Sequence, residues 1–487
     1  MQTPRAMSTQ HPDNVAIPFF ADGEVLSGEN EVKEAYYVFS HLGCTEQMWD
    51  CEGKEVDSFV VEKLLAKYPD YFTRHQLGDE LRLTIRVPNP DIEKNQAKIL
   101  LETLESIPRH YDIACAFGKC GAPIFEVILP MTTNAKQILR IENYYSKIVV
   151  GKGSMKLSDD DITVREWIGE SRPEKINLIP LIEDRESMQN SGKIIGEYLS
   201  ASKREKIRVF LARSDPALNY GSVGAVLTVK AALWKLHELE EKESVVIEPI
   251  IGVGSAPFRG NLRPTNPQNC LREYPSVQTF TIQSSFKYDH PPELVRLAIE
   301  KINSTTRKKP LHVDEGRLLP IVEKTMKAYQ EEITLLAPFI MKVSRHIPPR
   351  RARKLHVGLF GYSRKMGGLK LPRAISFCAS LYSIGIPPEM LGLDALSEKD
   401  WDVLHAQYAN LEEDMQAFLS FANPDGFSYL PASLSSRFKS ILERVGVEKN
   451  EENAQATSEI WKMISSGDTA TIKESIIKAA WIRGFLG

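Results

Sequence analysis

Charged side chains recur at the ends of apolar runs in this sequence, and their types suit chemistry on an anion. Leu-Ile-Glu-Asp-Arg supplies Glu183, Asp184 and Arg185; Leu-Ala-Arg-Ser-Asp supplies Arg213 and Asp215. Arg86 ends another such run, Arg259 sits in the glycine-rich stretch 252–260 with Gly254 and Ser255, and Gln283 follows Thr-Phe-Thr-Ile. A charge buried without a partner is costly, so these groups must either pair with one another or hold a charged ligand. Taken singly, each is explained by pairing at the rim of a sheet. Taken together, Glu183 and Asp215 beside several arginines suit a hard divalent cation, because Mg²⁺ accepts one or two carboxylates and completes its octahedron with water and substrate oxygens. Arginine adds bidentate grips for phosphate and carboxylate. The set points to a metal-dependent enzyme acting on a small anion.

Two further features carry open alternatives. The stretch Gly-Val-Gly-Ser-Ala-Pro-Phe-Arg-Gly at 252–260 follows an apolar run as a phosphate-cradling loop would, yet it lacks the P-loop pattern, and a tight turn explains its glycines equally well. His11, in Ser-Thr-Gln-His-Pro-Asp-Asn, is either a structural histidine or a general base docked over the site, where an ordinary imidazole pKa would suit it. The basic residues Arg345, Arg350, Arg351, Arg353 and Lys354 have no aromatics interleaved for base stacking, so they are read as solvated or as forming salt bridges between subunits.

The elements that would position these groups read as alternating strands and helices. Candidate strands cover 35–44, 81–89, 123–131, 176–184, 207–215, 244–254 and 279–285. Most are continuous Val/Ile/Leu/Phe runs, as in strands buried on both faces of a parallel sheet. Amphipathic helical stretches separate them, which predicts an α/β fold, a (β/α)₈ barrel whose chemistry lies beyond the strands' C-terminal ends. The eighth strand is assigned to 354–364, after a helical insertion at 313–345. This reading divides the chain into an N-terminal segment (1–34) carrying His11, a barrel (35–364) and a helical C-terminal region (365–487) packed on it. The polar stretches 151–161 and 448–459 are read as loops.

With 487 residues, 61 Lys plus Arg against 64 Asp plus Glu, and a formal charge of -3, the chain lacks the basic excess of a nucleic-acid or membrane-surface binder. Apolar residues at 42% and charged residues at 26% are globular usage and exclude disordered and collagenous classes. The six cysteines (44, 51, 115, 120, 270, 378) show no CxxC spacing and are read as buried thiols in a reducing compartment. No signal-like or membrane-length apolar run occurs, so a cytoplasmic protein without membrane or nucleic-acid partners is expected.

Six segments in order, STQHPDN (8–14), IPLIEDRE (179–186), FLARSDPALNYG (210–221), GVGSAPFRG (252–260), TIQSSFKYDHP (281–291) and GYSRKMGGLKLPRAISF (361–377), resemble archaeal-type phosphoenolpyruvate carboxylase over nearly the whole chain. The resemblance implies formation of oxaloacetate and phosphate from phosphoenolpyruvate and bicarbonate with Mg²⁺ or Mn²⁺, in a homotetramer built on a barrel. It implies that His11 is catalytic, that Glu183 and Asp215 are the metal carboxylates, and that Arg259 holds carboxyphosphate and substrate. Arg86, Arg373 and Gln283, with Gly254 and Ser255, would complete the anion site. The sequence departs from the longer enzymes in having Asn219-Tyr220-Gly221 where they carry a lysine, and Ile386-Pro387 near the place of an arginine, so Arg185, Arg213 or Arg364 would supply the missing phosphate contacts. The segment around His11 is expected to order over the mouth only with substrate. A rival reading is a metal-dependent keto-acid carbon–carbon lyase on the same barrel.

Overall fold

The computed structural model describes residues 2–487 apart from 54–55, 119, 353–363 and 367–368. Eight parallel strands close into a barrel: β1 (Ala6–Ser8), β2 (Glu46–Asp50), β3 (Arg82–Arg86), β4 (Glu126–Leu129), β5 (Asn177–Ile182), β6 (Lys206–Ala212), β7 (Val246–Gly252) and β8 (Thr279–Ile282). Strands β3 to β8 follow the apolar runs, whose side chains are buried against both the barrel interior and the surrounding helices.

The first and last expected strands are corrected. Residues 35–44 fall largely in a helix, Glu29–Ser40, whose buried Val32, Ala35, Val38 and Phe39 repeat at helical spacing, and whose Glu29 and Glu31 favour the helix N-terminus. Tyr-Tyr-Val-Phe is strand-like in composition, but periodicity decides. The true first strand is three residues long and lies inside the segment read as an N-terminal extension, paired Ala6 to Phe280 and Ser8 to Ile282. The second, Glu-Gln-Met-Trp-Asp, is polar because its inward groups meet partners: Arg208 Nη1 lies 2.7 Å from Glu46 Oε1 and 2.6 Å from Glu126 Oε2 inside the barrel. All but the last residue of the eighth strand expected at 354–364 lies outside the described residues, and the barrel closes without it. Arg364–Met366 instead pairs antiparallel with Leu369–Leu371 in a separate two-stranded ribbon.

The expected helical stretch is the long helix Glu315–Ser344, but it follows the last barrel strand and is not inserted before one; the described elements from Ala374 onward are helical. Together with Ser214–Glu243 they enclose a second apolar core, distinct from the one between the barrel and its outer helices. Residues 448–459 are corrected from loop to helix: Asn450 caps Glu451–Ser466 by accepting from the Asn453 N–H, and Ala454, Ala456 and Ile460 are buried. The cysteine reading holds for Cys44, Cys270 and Cys378, which are buried and free, and fails for the rest. Cys115 and Cys120 are joined in a disulfide at the end of the helix Ala97–Phe117, and Cys51 is half-buried.

Candidate active site

A cavity of about 690 Å³ opens at the C-terminal ends of the strands, where barrel loops carry chemistry. Its wall includes His11 beyond β1, Arg86 at the end of β3, Glu183 beyond β5, Asp215 beyond β6, Arg259 beyond β7 and Gln283 beyond β8. Residues 347–352 and 373–376 form the other side.

Glu183 and Asp215, the expected metal pair, face this one cavity from the ends of neighbouring strands, paired at Leu181–Phe210 and Ile182–Leu211. Met131 N–H donates to Glu183 Oε2 at 2.6 Å. Met131 reaches it with φ of 50°, a left-handed conformation uncommon for a residue with a side chain. Two carboxylates with no nitrogen or sulfur ligand form a hard-oxygen donor set, which fits Mg²⁺ or Mn²⁺ with water and substrate completing the shell. Among the described residues, no group of three or more His, Cys, Asp or Glu side chains is disposed as a metal cage.

Arg259 is held on every side. Its Nη1 lies 3.1 Å from Asp13 Oδ2 and 2.9 Å from the main-chain oxygen of Gly487, its Nε donates to Ser214 Oγ at 3.1 Å, and its Nη2 donates to Gln283 Oε1. Asp13 is fully buried and accepts the Ser285 N–H at 2.7 Å. Burial pushes its carboxyl up, opposed by Arg259 and by the N–H groups of Ser285 and Ser255. The glycine-rich loop is shaped around this arginine. A Cβ on Gly254 would stand 2.8 Å from Gln283 Oε1 and 3.2 Å from the Arg259 guanidinium carbon. Gly260, at φ 120°, would drive a Cβ into Val253.

Arg86 makes a two-pronged bridge to Asp50, with Nε to Oδ1 at 2.7 Å and Nη2 to Oδ2 at 2.6 Å, and its Nε lies 3.2 Å from Glu52. Arg373 stands close by; burial lowers its pKa, countered by Glu52 and reinforced by Arg86. His11 Nδ1 lies 2.9 Å from Thr9 Oγ1, and its carbonyl accepts from the N–H groups of Asp13 at 3.0 Å and Ser284 at 3.2 Å. The expectation that this segment orders only over substrate conflicts with its anchoring. Thr9 N–H bonds to Ile282 O in the barrel wall, and the Asp289 carboxylate accepts from the N–H groups of Val15 and Ala16.

The remaining expected contacts lie elsewhere. Gly254 and Ser255 sit beneath Arg259 and do not line the cavity. Arg213 reaches the wall, but its guanidinium turns inward to Phe258 O at 3.2 Å and Ser222 Oγ at 3.3 Å. Arg185 leaves the cavity for Glu323, 3.0 Å away. The Arg364 side chain is outside what the structure describes. The basic stretch at 345–354 is corrected: Arg345 is exposed, but Arg350 and Arg351 are buried in the cavity wall, and Arg353 and Lys354 lie outside the described residues. Arg350 donates to the Val15 carbonyl at 2.9 Å, while Arg351 pairs with Glu31 and Glu34 at 2.8 Å each. Burial would raise the Glu34 carboxyl, but Arg351 and Lys287 together bring it down to about 2. Asp13 thus escaped the sequence reading, although it stands two residues from His11 in the same motif, and Arg350 and Arg351 were legible only as part of a basic run.

Fold and site together define a (β/α)₈-barrel enzyme whose cavity is matched to a small, strongly anionic substrate. The sequence profile of the phosphoenolpyruvate carboxylases matches residues 3–487, and the chain belongs to that family, in its archaeal-type branch. It is 51% identical to the phosphoenolpyruvate carboxylase of Methanothermobacter thermautotrophicus over 488 residues, covering 100% of both chains. It is 50% identical to that of Methanospirillum hungatei, again over 100% of both, and 51% identical to that of Pyrococcus abyssi, over 99% of this chain and 100% of the other. Among solved structures, Haloferax volcanii malate synthase overlaps 70% of this chain and 89% of its own at 10% identity and a TM-score of 0.39, too loose a fit to bear on function.

Proposed function

We infer that the chain carboxylates phosphoenolpyruvate with bicarbonate, releasing oxaloacetate and inorganic phosphate. The observation that carries this reading is the meeting, in one cavity, of two carboxylates from the ends of neighbouring strands, a fully braced arginine and a histidine. Glu183 and Asp215 would hold Mg²⁺ or Mn²⁺, which when bound supplies Lewis-acid neutralisation of developing negative charge. The protein's own groups do the rest. Arg259, fixed by Asp13, Ser214 and Gln283, offers a preorganised positive charge that does not have to reorganise as the phosphoryl group transfers to bicarbonate. Arg86 and Arg373 add positive charge across the cavity. Carboxyphosphate and an enolate result, and His11 takes the carboxyphosphate proton so that CO₂ is released beside the enolate. In the tautomer whose Nδ1–H donates to Thr9 Oγ1, 2.9 Å away, Nε2 is the basic nitrogen that this role requires. The apolar face formed by Val25, Ile347 and Pro348 restricts water, which would otherwise protonate the enolate to pyruvate.

A homotetramer in the cytoplasm is the assembly and setting proposed. Half-exposed or more exposed Ile148, Met155, Leu157, Ile162, Trp167 and Ile168 lie close together in sequence and support a subunit contact there. The test is a coupled assay with phosphoenolpyruvate, bicarbonate and Mg²⁺, reading oxaloacetate through its reduction to malate alongside phosphate release. Equal rates are expected. Turnover of a keto acid without phosphate would overturn the reading in favour of the carbon–carbon lyase.

A further inference from the structure

Thr9 stands two residues before His11 and is fully buried, with its side-chain oxygen 2.9 Å from His11 Nδ1. Its main chain is held on both sides. The N–H donates to Ile282 O in the barrel wall at 2.9 Å, and the carbonyl accepts from Lys287 Nζ at 3.0 Å. Lys287 Nζ also donates to Ser8 Oγ at 3.0 Å and to Glu34 Oε1 at 2.8 Å, so all three N–H groups of the ammonium are used and its place is fixed in three directions. Both members of the Lys287–Glu34 pair are wholly shielded from solvent. Glu34 in turn accepts from Tyr288 OH at 2.6 Å and from Arg351 Nη2 at 2.8 Å, and Arg351 belongs to the cavity wall. A continuous path therefore runs from that wall through Glu34, Lys287 and Thr9 to the imidazole.

Stability does not explain this path. Apolar residues in place of a buried ion pair are often neutral or stabilising, because each charge loses its hydration. Burial indeed lowers the Lys287 pKa, with Glu34 opposing. What the pair supplies is a fixed position for Ser8 and Thr9, and through Thr9 for one nitrogen of His11. A neutral imidazole carries its proton on either nitrogen, and the partner of one decides the state of the other. Without an acceptor at Nδ1 the ring is free to turn, and its proton is free to sit on Nε2, where it abolishes the base.

We propose that Thr9, held by Lys287, is a positioning residue that decides the product, keeping His11 Nε2 aimed and unprotonated so that the enolate is carboxylated and not lost as pyruvate. The inference rests on the carboxylase reading above. In the step concerned, Nε2 takes the carboxyl proton of carboxyphosphate, and the C–O bond to the phosphate group breaks with its electron pair staying on phosphate. Phosphate then receives that proton from His11, and the CO₂ left behind accepts the electron pair of the enolate carbon. A displaced imidazole delays this step while phosphoryl transfer, supported by Arg259, goes on. Water then hydrolyses carboxyphosphate to bicarbonate and phosphate, and protonates the enolate to pyruvate.

The experiment follows phosphate, pyruvate and oxaloacetate, the last trapped as malate, in wild type, His11→Asn, Thr9→Val, Thr9→Ser and Lys287→Met, with phosphoenolpyruvate, bicarbonate and Mg²⁺. Thr9→Val keeps the shape and loses the hydroxyl. Its ratio of oxaloacetate to pyruvate should fall about tenfold, a share of the roughly 10²–10⁴ that a positioned base contributes, with phosphate release falling less. Thr9→Ser restores the hydroxyl and should bring the ratio back toward wild type. Lys287→Met should lower the ratio too, even if less of it folds, because a product ratio does not depend on how much enzyme is active. A wild-type ratio in both Thr9→Val and Lys287→Met, with all products falling in proportion, means ordinary packing and overturns the proposal. The controls separate this from failure of the carboxylase reading. Wild type that makes no oxaloacetate, or His11→Asn that makes as much as wild type, removes that reading and the inference with it; expected controls with unshifted ratios remove the inference alone.

Discussion

Asp13 offers the sharpest test of how Arg259 is held. Asp13→Asn keeps the shape and the oxygen that accepts from Ser285 at 2.7 Å, but removes the charge lying 3.1 Å from Arg259 Nη1. A hydrogen bond to a charged group contributes roughly 2 kcal/mol, and Ser214, Gln283 and Gly487 continue to brace the guanidinium, so the loss falls near that figure and not at the larger cost of stranding a charge. At about 1.4 kcal/mol per factor of ten, kcat/KM for oxaloacetate formation should fall about 30-fold. Stability should behave differently. Burial raises the Asp13 carboxyl despite Arg259, so its ionised form is disfavoured in the folded protein relative to the unfolded chain. The neutral amide removes that disadvantage, and Tm should drop little or not at all. The coupled malate assay and a thermal melt read both quantities. Wild-type kcat/KM in the variant, or a collapse of Tm in step with activity, would show that Asp13 acts as ordinary packing and that the braced-arginine reasoning is wrong.

Other expectations concern separate parts of the site. Glu183→Gln and Asp215→Asn should each cut activity at least 100-fold and raise the Mn²⁺ concentration needed for half-maximal rate, measured by metal titration after chelation; an unchanged titration curve in both would remove them as ligands. His11→Asn should release phosphate and pyruvate without oxaloacetate, so product analysis showing undiminished oxaloacetate would deny it the proton-transfer role. Asp289, pushed by burial from 3.8 to about 8, binds a proton in the folded state that the unfolded chain has released. Its contribution to stability therefore declines as pH rises from about 4 to about 8 and levels off above. Urea unfolding of Asp289→Asn across that range should lack this decline, and parallel slopes in variant and wild type would refute the assignment.

Much of the barrel was readable because strands buried on both faces favour apolar runs, which β4 to β7 largely have, while β3 and β8 alternate apolar and polar residues. Strands β1 and β2 were not readable by that rule. Three residues carry no periodicity, and Glu46 is tolerated inside because Arg208 and Thr84 from other strands satisfy its charge. Displacing β1 into a presumed extension also hid how firmly His11 is anchored. Arg350 and Arg351 looked like a solvated basic run for a similar reason: nothing local announces that Glu31, Glu34 and the Val15 carbonyl will meet them.

What the linear order of residues determined by itself was the kind of chemistry on offer: which side chains stand at strand ends, that two of them are carboxylates of the sort that would hold a hard cation, and that arginines gather beside them. The tertiary structure decided where each guanidinium points: Arg213 turns from the wall to Phe258 and Arg185 leaves for Glu323, while Arg86, Arg259 and Arg373 line the cavity. The physical reason is that a guanidinium goes where its donors are satisfied at the least desolvation cost, and those partners come from segments 45 to 246 residues away, Asp13 being the farthest from its arginine.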